Sequence, residues 1–177
     1  CQSGGDGGVT SCSSSGGYTT MCGTSMASPT VTGCLALLLE DFRTQFPAQN
    51  DPRNSTLKIL LAHNAVDLGN TGPDYQYGFG SVRIADTIDF MRGGEFEENS
   101  VSQGGSVVYQ VVVPGGTSEL KITMAWDDAA GTPNVNPNLV NDLDLVVMSP
   151  SSVLAYPWTL NPTSPSSSAV RTAADHT

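Results

Sequence analysis

The chain reads as two unlike parts, a helix-containing part over residues 1–92 and an all-β module over residues 95–177. Three patterns carry that division. Apolar residues fall at Val31, Leu35, Leu38, Leu39 and Phe42, close to a 3.6-residue period. Leu57, Leu60, Leu61 and Ala65 repeat a helical spacing further on. Past Arg92-Gly93-Gly94 the period becomes two: Leu120, Ile122, Met124 and Trp126 alternate with Lys121, Thr123 and Ala125, and Leu143, Leu145 and Val147 alternate with Asp142, Asp144 and Val146.

The elements follow in order. Residues 1–23 are rich in Gly and Ser and read as loop. A helix starts at Ser25, with Pro29 close to its first turn, where a missing N–H costs little. Phe46 to Arg53 is a connector containing Pro47 and Pro52, after which Asn54 or Ser55 can cap a second helix. A turn-rich loop, residues 67–74, leads through Tyr75-Gln76-Tyr77-Gly78-Phe79-Gly80-Ser81-Val82 to a short helix ending near Met91. In the second part, residues 106–113 are strongly β-branched, Pro114-Gly115-Gly116 signals a turn, and the whole reads as a sandwich.

Composition excludes several classes of function. The net charge is −10, and residues 95–177 hold nine acids and two bases. Basic patches are missing, which argues against nucleic-acid binding. No apolar run approaches the roughly 20 residues of a membrane helix. An acidic surface of this kind serves mainly solubility.

The most informative stretch is Gly23-Thr24-Ser25-Met26-Ala27-Ser28-Pro29. Gly23 permits a tight turn, and Ser25 then stands at a helix N-terminus, where free amides and the positive dipole end favour negative charge. The Ser25 amide is a candidate donor to an acyl oxyanion. Two other readings of the same residues stand beside this one. Ser25 can be an N-cap and nothing more. G-x-S-x-A also looks like the nucleophile elbow of α/β-hydrolases, which would require His63 or His176 as base.

Together with the following Thr30-Val31-Thr32-Gly33-Cys34-Leu35-Ala36-Leu37-Leu38-Leu39, the heptapeptide closely resembles the catalytic-serine motif of the subtilisin-like serine proteases, the subtilases. Asp74-Tyr75-Gln76-Tyr77-Gly78-Phe79-Gly80 resembles the D-x-Q-x-G-x-G segment that precedes the last helix in that family. Trp126-Asp127-Asp128, Leu139-Val140-Asn141-Asp142-Leu143-Asp144-Leu145 and Ala155-Tyr156-Pro157-Trp158 resemble the C-terminal jelly-roll domain of one subtilase branch. The resemblance implies an α/β fold: residues 1–92 as the C-terminal part of a parallel-sheet peptidase domain, and residues 95–177 as an incomplete jelly-roll sandwich. It implies Ser25 as the nucleophile, Gly23, Thr24 and Ser25 as the oxyanion and active-site loop, a protein or peptide substrate, and no cofactor for the chemistry.

The family triad runs Asp, His, Ser along the chain. The 24 residues before Ser25 contain no His and no Asn, and Asp6 is their only acid. The expectation is therefore a fragment, inactive alone because a serine without its base is a weak nucleophile. It would need the upstream part of its own chain for the triad Asp and His and the oxyanion Asn. The competing functional reading is a pseudoprotease or a binding module.

Subtilases often bind structural calcium. Asp127, Asp128, Asn141, Asp142 and Asp144 offer the hard oxygen ligands that ion prefers, although Asp142 and Asp144 also fit the solvent face of a strand. Four cysteines allow three pairings. Cys34 lies roughly 13.5 Å down the helix from Ser25 at ~1.5 Å per residue, with Cys22 on the other side, so a Cys22–Cys34 bridge is disfavoured. Cys34 is expected to be a free, buried thiol in the family's helix, and Cys1–Cys12 to be the bridge, with fully reduced cysteines as the alternative. A bridge would suit an extracellular or secretory setting.

Overall fold

The computed structural model describes residues 8–136 and 138–173, so Cys1, Asp6 and His176 of the sequence reading lie outside the described residues. Contacts divide the chain into two units that meet in sequence between Asp51 and Pro52.

The first unit opens with an antiparallel hairpin, β1 (Val9–Cys12) and β2 (Tyr18–Met21), in which Val9 pairs with Met21 and Cys12 with Tyr18. The sequence reading had loop here. The hairpin forms because Gly16 and Gly17 both adopt φ 84° in the connection. That left-handed geometry lets the Ser13 amide return to the Gly17 carbonyl at 3.0 Å. Thr10 and Thr20 then share a cross-strand hydroxyl bond of 2.8 Å. Helix α1 runs Thr24–Gln45. Leu38 and Phe42 are its buried residues, on the predicted face, whereas Val31 of the same stripe is 38% exposed. Near its end the Phe42 and Phe46 rings lie 5.0 Å apart. Arg43 grips Asp51 through two bonds, which holds the Asp51 carboxyl below its ordinary range. Both side chains are about half exposed, so the pair adds little to stability.

In the second unit, α2 (Asn54–His63) packs on α3 (Ile84–Gly93). Leu57, Leu60 and Leu61 of α2 are buried, as the spacing predicted, and Met91 of α3 is fully so. Burying side chains of this size contributes roughly 1.5–3 kcal/mol each. Ala65, expected on the inner face of the second helix, lies past its end. Thr87, also fully buried, satisfies its hydroxyl on the Arg83 carbonyl at 2.7 Å. Gly94 closes α3 in the left-handed region at φ 70°, a conformation that favours glycine at that position.

The N-terminus of α2 is not capped by its own Asn54 or Ser55 side chain. Asp127 takes the Ser55 amide at 3.1 Å and the Ser55 hydroxyl at 3.0 Å, while Glu98 takes the Arg53 amide at 2.8 Å and the Thr56 hydroxyl. At the other end of α2, Thr123 bonds the His63 ring and Lys121 donates to the His63 carbonyl. From Ser55 to His63 a helix rises roughly 12 Å at ~1.5 Å per residue. From Asp127 back to Thr123 an extended chain covers about 13 Å at ~3.3 Å per residue. The match lets residues 121–127 lie along α2 as a strap, pinned at both ends.

The D-x-Q-x-G-x-G segment folds around one carboxylate. Asp74, 5% exposed, accepts the amides of Tyr77 (2.6 Å), Gln76 (2.9 Å) and Asn70 (3.0 Å). Asp74 and Gly78 also exchange backbone bonds. Gly80, at φ 103°, passes so close to the Val66 carbonyl that a Cβ would stand 2.0 Å from its oxygen. That approach allows the paired Val66–Ser81 bridge.

The strands expected over residues 106–113, 120–126 and 143–147 differ from what forms. Among the described residues the pairings after α3 are β3 (Val147–Met148) with β4 (Leu154–Ala155) and β5 (Trp158–Thr159) with β6 (Val170–Arg171), all antiparallel. Val108 and Val112 are 84% and 92% exposed. Alternation selects the face a strand would bury, but the strand exists only where a neighbouring edge completes its ladder. The expected turn at Pro114 does close, with the Thr117 amide on the Pro114 carbonyl and Gly116 at φ 88°.

Two outcomes follow. Asp127→Ala removes the acceptor at the start of α2 and should cost about 1 kcal/mol, read as a lowered melting temperature; an unchanged melt would mean that Asp127 does not cap α2. The amides of Tyr77, Asn70 and Gln76 hold Asp74 below its ordinary carboxyl range. Its contribution is therefore complete above about pH 3.9 and is lost as pH falls through the depressed value. Asp74→Asn should flatten part of the acid limb of stability against pH; a variant with the parental acid limb would refute the assignment.

Candidate active site

Ser25 is the second residue of α1, and Gly23, directly before the helix, sets its direction. Gly23 holds φ 136°, ψ 175°, a conformation L side chains rarely adopt, although a Cβ there would meet no atom within 4 Å. The constraint at Gly23 is thus one of dihedral angle and not of space. The Gly23 carbonyl collects the amides of Met26 (3.0 Å) and Ala27 (3.1 Å). The amides of Thr24 and Ser25 have no acceptor among the described residues, as expected of the first turn of a helix without a cap. Pro29 is the sixth residue of α1, one residue deeper than a start at Ser25 would put it, and has no N–H to return to the Ser25 carbonyl. Thr30 and Thr32 instead turn their hydroxyls onto the Met26 and Ser28 carbonyls.

Ser25 is exposed and lines an open cleft of roughly 440 Å³. The first turns of α1 form one wall, with Met26, and the hairpin forms the other, with Val9, Cys12 and Met21. An exposed hydroxyl, two unclaimed amides and the positive end of a 22-residue helix meet there. That arrangement suits the binding of an anionic oxygen beside the hydroxyl. The Gly and Ser content of residues 1–23 points to loop, and the weaker signal for the hairpin wall is Val9-Thr10 and Tyr18-Thr19-Thr20, two β-prone runs flanking Gly16-Gly17.

The cysteines correct the expected pairing. Cys22, next to Gly23, is disulfide-bonded, whereas Cys12 and Cys34 are free. A Cys1–Cys12 bridge is therefore not formed. Cys34 is the free thiol that its helix position suggested, half-buried.

His63 is committed within its own unit. Its ring bonds Thr123 and packs on Phe90 with centroids 4.7 Å apart. The candidate calcium ligands do not converge. Asp127 is bound to Ser55. Asp128 accepts the amides of Val140 (2.8 Å), Ala129 (2.9 Å) and Asn141 (3.0 Å) and the Asn141 side chain at 2.6 Å, which holds its carboxyl below the usual range. Asp142 and Asp144 join neither of these networks. Among the described residues no three His, Cys, Asp or Glu side chains are grouped to hold a metal ion, so these aspartates as placed do not fit a calcium site.

Residues 4–80 match the family model described as the subtilase family. Fervidolysin of Fervidobacterium pennivorans is 36% identical over 91 residues, which cover 51% of this chain and 11% of that protein. An extracellular serine protease of Serratia marcescens is 38% identical over 72 residues, 41% of this chain and 6% of that protein. No solved structure matches the chain. Residues 4–80, somewhat under half of the chain, are thus similar to the subtilase family, which suggests an α/β fold for that segment. It spans about a tenth or less of the length of these curated relatives.

The free thiols give a direct check on the local geometry. Under native conditions iodoacetamide should alkylate exposed Cys12 several-fold faster than Cys34, and Cys22 only after reduction. Peptide mapping that finds Cys12 protected would contradict the placement of the hairpin.

Proposed function

We propose that this chain is the nucleophile-bearing part of a subtilisin-like serine endopeptidase acting on protein or peptide substrates. The observation that carries the proposal is the exposed Ser25 at the open N-terminus of α1, beside its own unclaimed amide, within sequence of the subtilase family. Ser25 Oγ attacks the scissile carbonyl, and the new C–O bond makes a tetrahedral oxyanion. The Ser25 amide donates to that oxyanion. Gly23 and Thr24 shape the approach. A histidine outside this chain takes the hydroxyl proton and later delivers it to the leaving amine, an aspartate orients that histidine, and an asparagine completes the oxyanion hole. No cofactor enters the chemistry.

The remaining features belong to the same reading. Residues 1–92 are the end of the peptidase domain, and residues 95–177 are part of a jelly-roll module that stabilises it or limits substrate access. Its calcium, if bound, would draw on Asp127, Asp128, Asp142 and Asp144 only after rearrangement. The disulfide at Cys22 and the relative named as extracellular support a secreted protein. The alternative is a pseudoprotease or binding module, and the two separate cleanly in one experiment.

A fluorophosphonate probe should label Ser25 in the full-length protein, and Ser25→Ala should abolish both labelling and peptide turnover, a loss of at least about 10³-fold in rate. Absence of labelling would favour the pseudoprotease. The 177-residue chain alone should neither label nor turn over peptide; turnover that depends on Ser25 in that chain would overturn the assignment of the base to residues outside it.

A further inference from the structure

The strap over α2 is fixed differently at its two ends. Its Asp127 end is held by two hydrogen bonds, from the Ser55 amide and the Ser55 hydroxyl. Its other end rests on an imidazole: His63 bonds the Thr123 hydroxyl, packs on Phe90 at 4.7 Å, and has its carbonyl taken by Lys121. We propose that His63 is an acid-operated latch that holds residues 121–123 on the C-terminal end of α2 when neutral and releases them when protonated, while Asp127 keeps the far end attached.

The argument is one of competing influences on the imidazolium. Half-burial against Phe90 opposes charge on the ring most, and the Lys121 ammonium adds repulsion; Glu95, in the stretch after α3, favours the charge. The balance lowers the affinity of His63 for a proton. A helix C-terminus ordinarily favours a cation by about 0.3–1 kcal/mol. Here Lys121 already occupies the His63 carbonyl and supplies the positive charge that the dipole end would seek, so the helix offers His63 little compensation. With a folded value below the unfolded value of about 6.5, the open or unfolded state binds more protons, and the closed latch loses stability as pH falls below about 6.5. The depressed carboxyls of Asp51, Asp74 and Asp128 titrate below about pH 3.9, outside the range in which the latch operates. The latch stands apart from the chemistry assigned to Ser25 and holds whether or not that assignment does.

Hydrogen exchange read by mass spectrometry on the full chain tests it, with protection factors corrected for the intrinsic rate at each pH. Between about pH 7.5 and about pH 5, the amides of residues 61–64, in the last turn of α2 that Thr123 and Lys121 hold, should lose protection several-fold, while those of residues 54–57 under Asp127 should change little. In His63→Gln the loss should vanish. Equal protection of residues 61–64 at both pH values, or the same loss in His63→Gln, would overturn the proposal. Should His63→Gln fold poorly, Glu95→Gln serves instead: removing the one charge that favours imidazolium should move the midpoint of release to lower pH, and an unmoved midpoint would equally refute the latch.

Discussion

The first amides of a helix have no partner within the helix, and the two ways this chain treats that deficit organise much of what is distinctive about it. In α2 the deficit is filled from a distance. Glu98 and Asp127 reach the amides of Arg53 and Ser55 from 45 and 72 residues away in sequence. A carboxylate at a helix N-terminus gains both a charge-assisted hydrogen bond and the favourable end of the dipole. Those bonds do more than finish a helix. They fix where residues 121–127 lie, and with them the position of Thr123 and Lys121 over His63. The long-range order of the second unit therefore depends on an electrostatic requirement as well as on the burial of Leu57, Leu60 and Met91.

In α1 the deficit is left open. Gly23 turns the chain into the helix without offering a side-chain acceptor, and the amides of Thr24 and Ser25 remain available beside the cleft. An N-cap serine, the bland reading of Ser25, would place the serine before the helix with its oxygen folded back onto an amide. Ser25 is instead inside the helix, with its hydroxyl exposed. The glycine offers no side-chain cap, so those donors stay open among the described residues. Cys22, immediately before this turn, is disulfide-bonded.

Much of this was legible beforehand. The 3.6-residue spacing placed the helices and chose Leu38, Phe42, Leu57, Leu60 and Leu61 as buried positions, because a helix can bury a stripe only at that period. The Ser25 heptapeptide announced a glycine turn leading into a helix, because the turn and the helix start are consecutive in sequence. The hairpin that walls the cleft escaped notice for a compositional reason: its glycines and serines are turn residues, and they masked two short runs with β-branched threonines. The aspartates 127 and 128 looked like metal ligands because sequence shows a carboxylate but not its acceptor load. Asp127 is occupied by Ser55, and Asp128 by the 140–141 turn.

Sequence by itself determined the local features: helix periods, the left-handed glycines at turns, the serine at a helix start, and the carboxylate of Asp74 that gathers the amides of its own loop. Each of these is settled by residues within a few positions of one another. Tertiary structure alone decided that α2 is capped by Asp127 and Glu98, that His63 pairs with Thr123 beneath Lys121, that Cys12 stays free, and that the valines of residues 107–113 find no ladder among the described residues. Those outcomes depend on which groups far apart in sequence meet in space, and a hydrogen bond or a strand edge has no energy to give until its partner has arrived.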